Sequence, residues 1–283
     1  MTRILRVALP YGVFLAAALL SWNRWMEPFV DTGRELMVPR RISQGERLYR
    51  DVRYYYGPLA PYAAAATERV AGRSLAARIC LAALVALAHI EALRRAARRM
   101  MPPWRDSLAA SLAIAVAFFL RPGGCHLFPY SLATAIAVAA ATWALLLSVD
   151  RARGSEPALA LCLFAALASR PEIGLAAALL VLLGVFWLAR DGRRGAAAVA
   201  VAASLAGALV VYAGLSLGTP LSTLRQEGWL AFLSVPPEFR SVYLAFSGLD
   251  RPGLRLAELA LSLVVLLALG AVLVLLAFGS RRR

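Results

Sequence analysis

The charges of this 283-residue chain are segregated from long apolar runs, and that segregation limits the fold more than anything else in the sequence. The blocks 11–20, 75–90, 107–120, 131–149, 157–188, 195–217 and 256–278 carry almost no charge. A helix rises about 1.5 Å per residue, so a bilayer core about 30 Å thick needs roughly 20 such residues to cross it. Several blocks reach that length alone, and the shorter ones reach it with their flanks. Ala, Leu and Val fill them, with Gly scattered inside, and the period-two alternation of a barrel strand is missing. Backbone polar groups in lipid must then be satisfied within helices. The hydrophobic share of 61% stands well above that of soluble domains, roughly 45–50%. The expected fold is an all-α, polytopic transmembrane helical bundle forming one transmembrane domain over 1–283.

The 157–188 block is too long for one ordinary span and holds Ser169-Arg170-Pro171-Glu172 near its middle. Proline breaks a helix, and an arginine at the bilayer centre costs about 2.5–3.5 kcal/mol or more. Two short spans meeting near an interface avoid that cost, which brings the count to about eight. With Met1 inside, eight spans put Arg3, Arg6, the Arg94–Arg105 group, Arg151, Arg153, the 190–194 cluster and the terminal arginines in the cytoplasm. A similar number falls on the other side, many between Arg24 and Arg78, so the positive-inside bias does not decide orientation. At the amino terminus Ala16-Ala17-Ala18 resembles a cleavage region. Leu19-Leu20 continue the helix, however, and Trp22 and Trp25 follow as an interfacial belt, which favours an uncleaved first span.

A net charge of +15 invites a nucleic-acid reading, and its distribution argues against one. Every basic residue is arginine, spread over many loops rather than one face. Anionic and phosphate-bearing lipids are the natural partners of such arginines. Cys80 and Cys162 fall in spans as small apolar fillers, and Cys125 has no obvious partner. His89 lies in a helix far along the chain from His126, so no metal site is expected.

The longest polar insertion is the loop 22–73, and it is unlike a simple connector. Asp31 to Glu35 open a short helical run in which Thr32 and Glu35 form a T-x-x-E capping pattern. Pro39 is expected to interrupt that run and Gly45 to end it. Arg34, Leu36, Met37, Val38 and Ile42 suit a helix lying on the membrane surface, and Tyr49, Tyr54, Tyr55, Tyr56 and Tyr62 supply interfacial aromatics. Asp31 and Glu35, four residues apart, share a helix face. Their ordinary reading is as caps, with the arginines as headgroup contacts. What favours function is density, with Glu27, Asp31 and Glu35 beside Arg24, Arg34, Arg40 and Arg41 at a helix exit. A carboxylate near an acceptor hydroxyl can serve as general base, and arginines can hold a phosphate.

The run Asp31-x-Gly33-Arg34-Glu35, then Gly45-x-x-Leu48-Tyr49-Arg50-Asp51, then Tyr56-Gly57-Pro58-Leu59-x-Pro61-Tyr62, following a first apolar helix, resembles the C-type glycosyltransferases. These multispanning enzymes take a sugar from a polyprenyl-phosphate carrier and include protein mannosyltransferase-like and lipid A aminoarabinose transferase-like groups. The match covers roughly 25–62, with looser echoes at Phe128-Pro129-Tyr130-Ser131 and Ser169-Arg170-Pro171-Glu172-x-Gly174. The resemblance implies that Asp31 is the catalytic base. It also implies that the loop faces away from the cytoplasm, which places a multi-pass protein in the cell (inner) membrane with both termini cytoplasmic. The partners it implies are a polyprenyl-phosphate-linked sugar, membrane lipids and an acceptor. Such enzymes are usually longer, and here Glu27 or Glu35 would have to replace the second acidic residue many of them carry.

Substrate-binding candidates are Arg34, Glu35, Arg121, His126, Arg170 and Glu172, with Arg34 and Arg170 placed to stabilise the departing phosphate. No cofactor is required; a divalent cation bridging Asp31 and the phosphate is compatible with the reading but not demanded by it. Arg170 and Glu172 read equally well as a salt-bridged hairpin tip, and a lone loop histidine such as His126 is usually just solvated. The last outer loop, 218–253, carries Trp229, Phe232, Phe239 and Tyr243 and suits a membrane-surface segment. The alternative function is non-catalytic, either a transporter or flippase of lipid-linked sugars or a degenerate, truncated family member.

Overall fold

The computed structural model describes residues 3–20, 32–100, 131–149, 155–188 and 193–230, with isolated positions at 102, 105, 111 and between 253 and 264. The described residues are almost entirely helical, with no strand beyond a single Leu48–Val52 bridge. The elements are α1 (Arg3–Leu20), α2 (Thr32–Ser43), α3 (Leu59–Ala71), α4 (Leu75–Met100), α5 (Leu132–Val149), α6 (Glu156–Ser169), α7 (Pro171–Leu188), α8 (Arg193–Ser216) and α9 (Leu221–Glu227). Two compact units emerge, Met1–Trp229 and Leu230–Arg283; the second is described only at scattered helical positions.

Among the described residues three helices are long and apolar enough to cross a membrane: Leu75–Arg99, Leu132–Val149 and Gly195–Ser216. This is the architecture of a membrane protein, and large apolar side chains left on the outside agree with it. Leu179, Leu180 and Leu183 of α7 and Val199, Leu209 and Val210 of α8 are all exposed, as they would be against lipid. The apolar stretches Val7–Leu20, Glu156–Ser169 and Pro171–Gly184 are shorter. At 14 residues α6 extends only about 21 Å.

The 157–188 block does divide where the sequence said it should. Arg170 takes an extended conformation (φ −143°, ψ 101°), as the residue before a proline prefers, and its N–H still bonds the Ala166 carbonyl at 2.8 Å. Pro171 then opens α7, the first helical position being the one a proline tolerates. The two helices fold back on each other tightly enough that a Cβ on Gly174 would lie 2.5 Å from the Leu167 nitrogen.

The core is built from small residues. Ala144, Leu159, Leu163, Ala177, Ala178, Val181, Ala197, Ala200 and Val201 bring α5 to α8 together, and Phe14, Ala17, Ala18, Ala86 and Ile90 join α1 to α4. Alanine lets backbones approach closely, which is how helices without a hydrophobic driving force between them associate. Side chains then fix direction. Trp143 donates to the Ala88 carbonyl (2.9 Å) and Arg99 to that of Leu146 (3.0 Å), so α4 and α5 run parallel. Ser204 donates to Ala160 O (2.9 Å) and Tyr212 to Leu167 O (3.1 Å), so α6 and α8 also run parallel.

The first loop differs from expectation at Pro39, because α2 continues through it to Ser43. A proline there removes the N–H that would bond the Glu35 carbonyl one turn back. Arg78 of α4 supplies the missing donor, its Nη1 reaching Glu35 O at 3.1 Å and its Nη2 reaching Leu36 O at 3.4 Å. The same guanidinium pairs with Glu68 of α3, and both side chains are buried. Gly45, at φ 98°, ends the helix as expected: its N–H bonds Ile42 O (3.0 Å) and the next N–H bonds Arg41 O (3.1 Å), a Schellman arrangement.

Candidate functional site

Four helix ends and the first loop meet in one layer. Gly57 anchors the loop there. Its N–H donates to Ser169 O at 2.9 Å, and a Cβ would fall 2.2 Å from the Ala168 carbonyl oxygen and 2.5 Å from the Tyr212 hydroxyl. Only glycine lets the loop backbone lie flat against the end of α6. Further contacts come from the other side, where Tyr54 N–H bonds Glu227 O (3.2 Å) and Arg53 pairs with Glu227 of α9 (2.7 Å). Trp229 packs on Tyr212, ring centroids 4.5 Å apart, and donates to Ser216 Oγ at 3.1 Å. The segment 227–229 is thereby joined to the first loop.

The turn that presents the tyrosines is tight. Tyr49 sits at φ 68°, a conformation a bulky side chain adopts only at a cost of about 1–2 kcal/mol. Its buried ring and a 2.7 Å bond from its hydroxyl to Tyr56 O hold it there. Burial pushes the Tyr49 and Tyr54 hydroxyls well above their usual range, so both remain neutral donors.

Two sequence candidates more than 130 positions apart each pack on the ring of Tyr56. The Arg170 guanidinium stands 4.5 Å from the Tyr56 centroid, and Arg34 stands 5.4 Å from it and 5.4 Å from that of Tyr55. Arg170 also binds Glu172 Oε1 (2.6 Å) and donates to Thr134 Oγ1 (2.8 Å) at the start of α5. The hairpin-tip salt bridge and a position facing the first loop are therefore both true of Arg170. Glu172 is half-exposed and serves as its counter-ion.

Glu35 points inward. Only 7% exposed, its carboxylate accepts from the Tyr54 hydroxyl (3.3 Å) and faces the Leu132 N–H at the beginning of α5. Burial raises its pKa to about 7, opposed first by the nearby Arg34 charge, then by Tyr54, Leu132 and Arg78.

Beside this polar cluster lies an apolar groove of about 440 Å³, lined by Pro58, Leu59, Tyr62, Phe164, Ala168, Val210, Val211, Gly214 and Leu215. Ala168 lines it and Arg170 follows two residues later, and Pro58 lies two residues after Tyr56, so an uncharged slot begins close to Arg170 and the Tyr56 ring.

No family model, curated protein or solved structure matches the chain. The functional reading therefore rests on chemistry and on the sequence resemblance.

Asp31, Arg121 and His126 lie outside the described residues, as do residues 231–252. Of the other candidates, Arg34, Glu35, Arg170 and Glu172 are gathered into the layer. Sequence reasoning missed the parts played by Arg78, Tyr56 and Thr134. Arg78 did leave a signal, a lone charge inside an apolar block. Among the described residues no three of His, Cys, Asp and Glu come together as metal ligands.

Proposed function

We propose that this protein is a membrane glycosyltransferase that moves a sugar from a polyprenyl-phosphate carrier to an acceptor hydroxyl at the extracytoplasmic face. The observation that carries the reading is the packing of both Arg34 and Arg170 on the Tyr56 ring, beside an apolar groove. A charged end next to an uncharged slot suits a phosphate attached to a long hydrocarbon. In this reading Asp31 takes the acceptor proton while the acceptor oxygen bonds the anomeric carbon. The bond from that carbon to the phosphate oxygen breaks, and the electron pair leaves on the lipid phosphate, whose charge the two guanidiniums stabilise.

The reading also includes eight crossings with both termini cytoplasmic. Its support is directional: α4 and α5 run parallel, and parallel neighbours in one chain need a return between them, for which the sequence offers the apolar 107–120 block.

The test is sugar transfer from a lipid-linked donor by the purified full chain. Asp31→Asn is expected to lose about 10²–10⁴ in rate, as removal of a general base does, with thermal stability held close to wild type. Arg170→Gln is expected to weaken donor binding. Equal rates in wild type and Asp31→Asn would remove Asp31 from the mechanism. Lipid-linked sugar that crosses the bilayer intact, without transfer, would establish the transport reading instead.

A further inference from the structure

We propose that binding of a phosphodiester anion against Arg34 and Arg170 is coupled to proton uptake by Glu35, so that the site holds its anion more tightly when Glu35 is neutral. This rests on the reading of those two arginines as the phosphate-holding pair.

The geometry is a buried carboxyl whose surroundings are fixed on every side but one. From α4 it is faced by Arg78, already committed to Glu68 of α3 and to the carbonyls of Glu35 and Leu36. From the loop it is faced by the Tyr54 hydroxyl and from α5 by the Leu132 N–H, both held by their own elements. On its own helix the facing charge is Arg34, the strongest single influence keeping the carboxylate ionised. Arg34 is also the group that reaches over Tyr55 and Tyr56 toward the ring it shares with Arg170. One guanidinium therefore serves two anions, the buried carboxylate and whatever binds at the arginine pair. A bound phosphate adds a like charge near the carboxylate and offsets the field of Arg34, and both effects favour the protonated acid.

The sign follows from linkage. In the empty site Glu35 titrates at about 7, and in the occupied site it titrates higher. Below the lower value Glu35 is neutral in both states and affinity does not depend on pH. Between the two values each binding event takes up one proton, and the dissociation constant rises up to about tenfold per pH unit.

The test uses the full chain and dihexanoyl phosphatidylglycerol, a soluble phosphodiester with no titration near neutrality. Calorimetric titration in two buffers of different ionisation heat, between about pH 7 and 8, reports protons taken up per lipid bound. The expected result is a fraction of a proton for wild type and none for Glu35→Gln, whose affinity is flat across that range. The same uptake in both proteins, or none in wild type, overturns the coupling. Binding unaltered in Arg34→Gln, or no binding by wild type, overturns it by removing the arginine pair on which it rests. Loss of sugar transfer with proton-coupled binding intact would discard only the catalytic reading. If Glu35→Gln does not fold, infrared difference spectra of wild type carry the same question. Lipid addition should then produce a protonated-carboxyl band, and its absence overturns the proposal.

Discussion

The helical core and the first-loop layer solve the same problem, backbone satisfaction next to lipid, by opposite means. In α5 to α8 the backbone is helical and the contacts are alanine against alanine, leucine and valine, with Ser204 turned back onto carbonyls of its own and the neighbouring helix. In the layer built by 32–58 the backbone is a proline-containing helix followed by an irregular loop, and partners come from far away: Arg78 for a carbonyl freed by Pro39, Ser169 for Gly57, Glu227 for Tyr54. The core can tolerate exchange of one small apolar residue for another. The layer tolerates change least at Arg78, Glu68 and Glu35, whose charges are buried and tied to other buried atoms, whereas exposed pairs such as Arg41–Glu46 and Arg53–Glu227 contribute little. Buried polar networks fix a unique arrangement at the risk of large losses when one member goes.

That contrast predicts the largest effect at Arg78. Arg78→Leu strips Glu68 of its partner and leaves the Glu35 carbonyl without a donor. Removing one side of a buried pair costs about 3–5 kcal/mol, read as a fall in the unfolding midpoint of the purified protein. The double change Arg78→Leu with Glu68→Leu should recover part of this, leaving about 1–3 kcal/mol for the orphaned carbonyl. Equal losses in single and double variants would mean that the unpaired Glu68 adds nothing to the loss, which would then lie in the α2 carbonyls that Arg78 serves.

A second effect concerns Glu35 and pH. A carboxyl whose folded pKa is raised to about 7 from 4.5 binds its proton more tightly folded than unfolded. Stability is therefore greatest below the unfolded value, falls as pH rises through that window, and levels off above about 7. A shift of this size corresponds to ~3 kcal/mol. Glu35→Gln should lack the decline, so wild type and variant should diverge between acid and neutral pH in thermal unfolding. Parallel curves would show that Glu35 is not buried in the way described.

The smallest effects sharpen the comparison with the same substitution in each region. Gly57→Ala in the layer meets the Ala168 carbonyl and the Tyr212 hydroxyl, and overpacking of this kind costs about 1–3 kcal/mol. Gly184→Ala, within α7 and with open space around it, should stabilise by about 0.5–1 kcal/mol. Midpoint shifts of the same sign for both would erase the distinction between core and layer.

By itself the sequence determined the apolar helices, the break at Arg170-Pro171 and the stop at Gly45. Each depends on neighbours within a turn or two: hydropathy summed over a block, the conformation a proline imposes on its predecessor, a glycine free to take positive φ. The same local rules failed at Pro39, because the donor that rescues its turn comes from Arg78, 43 residues from the carbonyl it serves. The candidate site was legible only as a set of residue types. Arg34 and Glu35 stand out by charge density at a helix exit, and Arg170 and Glu172 by flanking Pro171 at the break in an apolar block. That Glu35 turns inward to Tyr54, and that Arg34 and Arg170 share the Tyr56 ring, follows from the docking of the loop on the ends of α5 and α6. Such pairings depend on which surfaces meet in space, and no spacing along the chain encodes them.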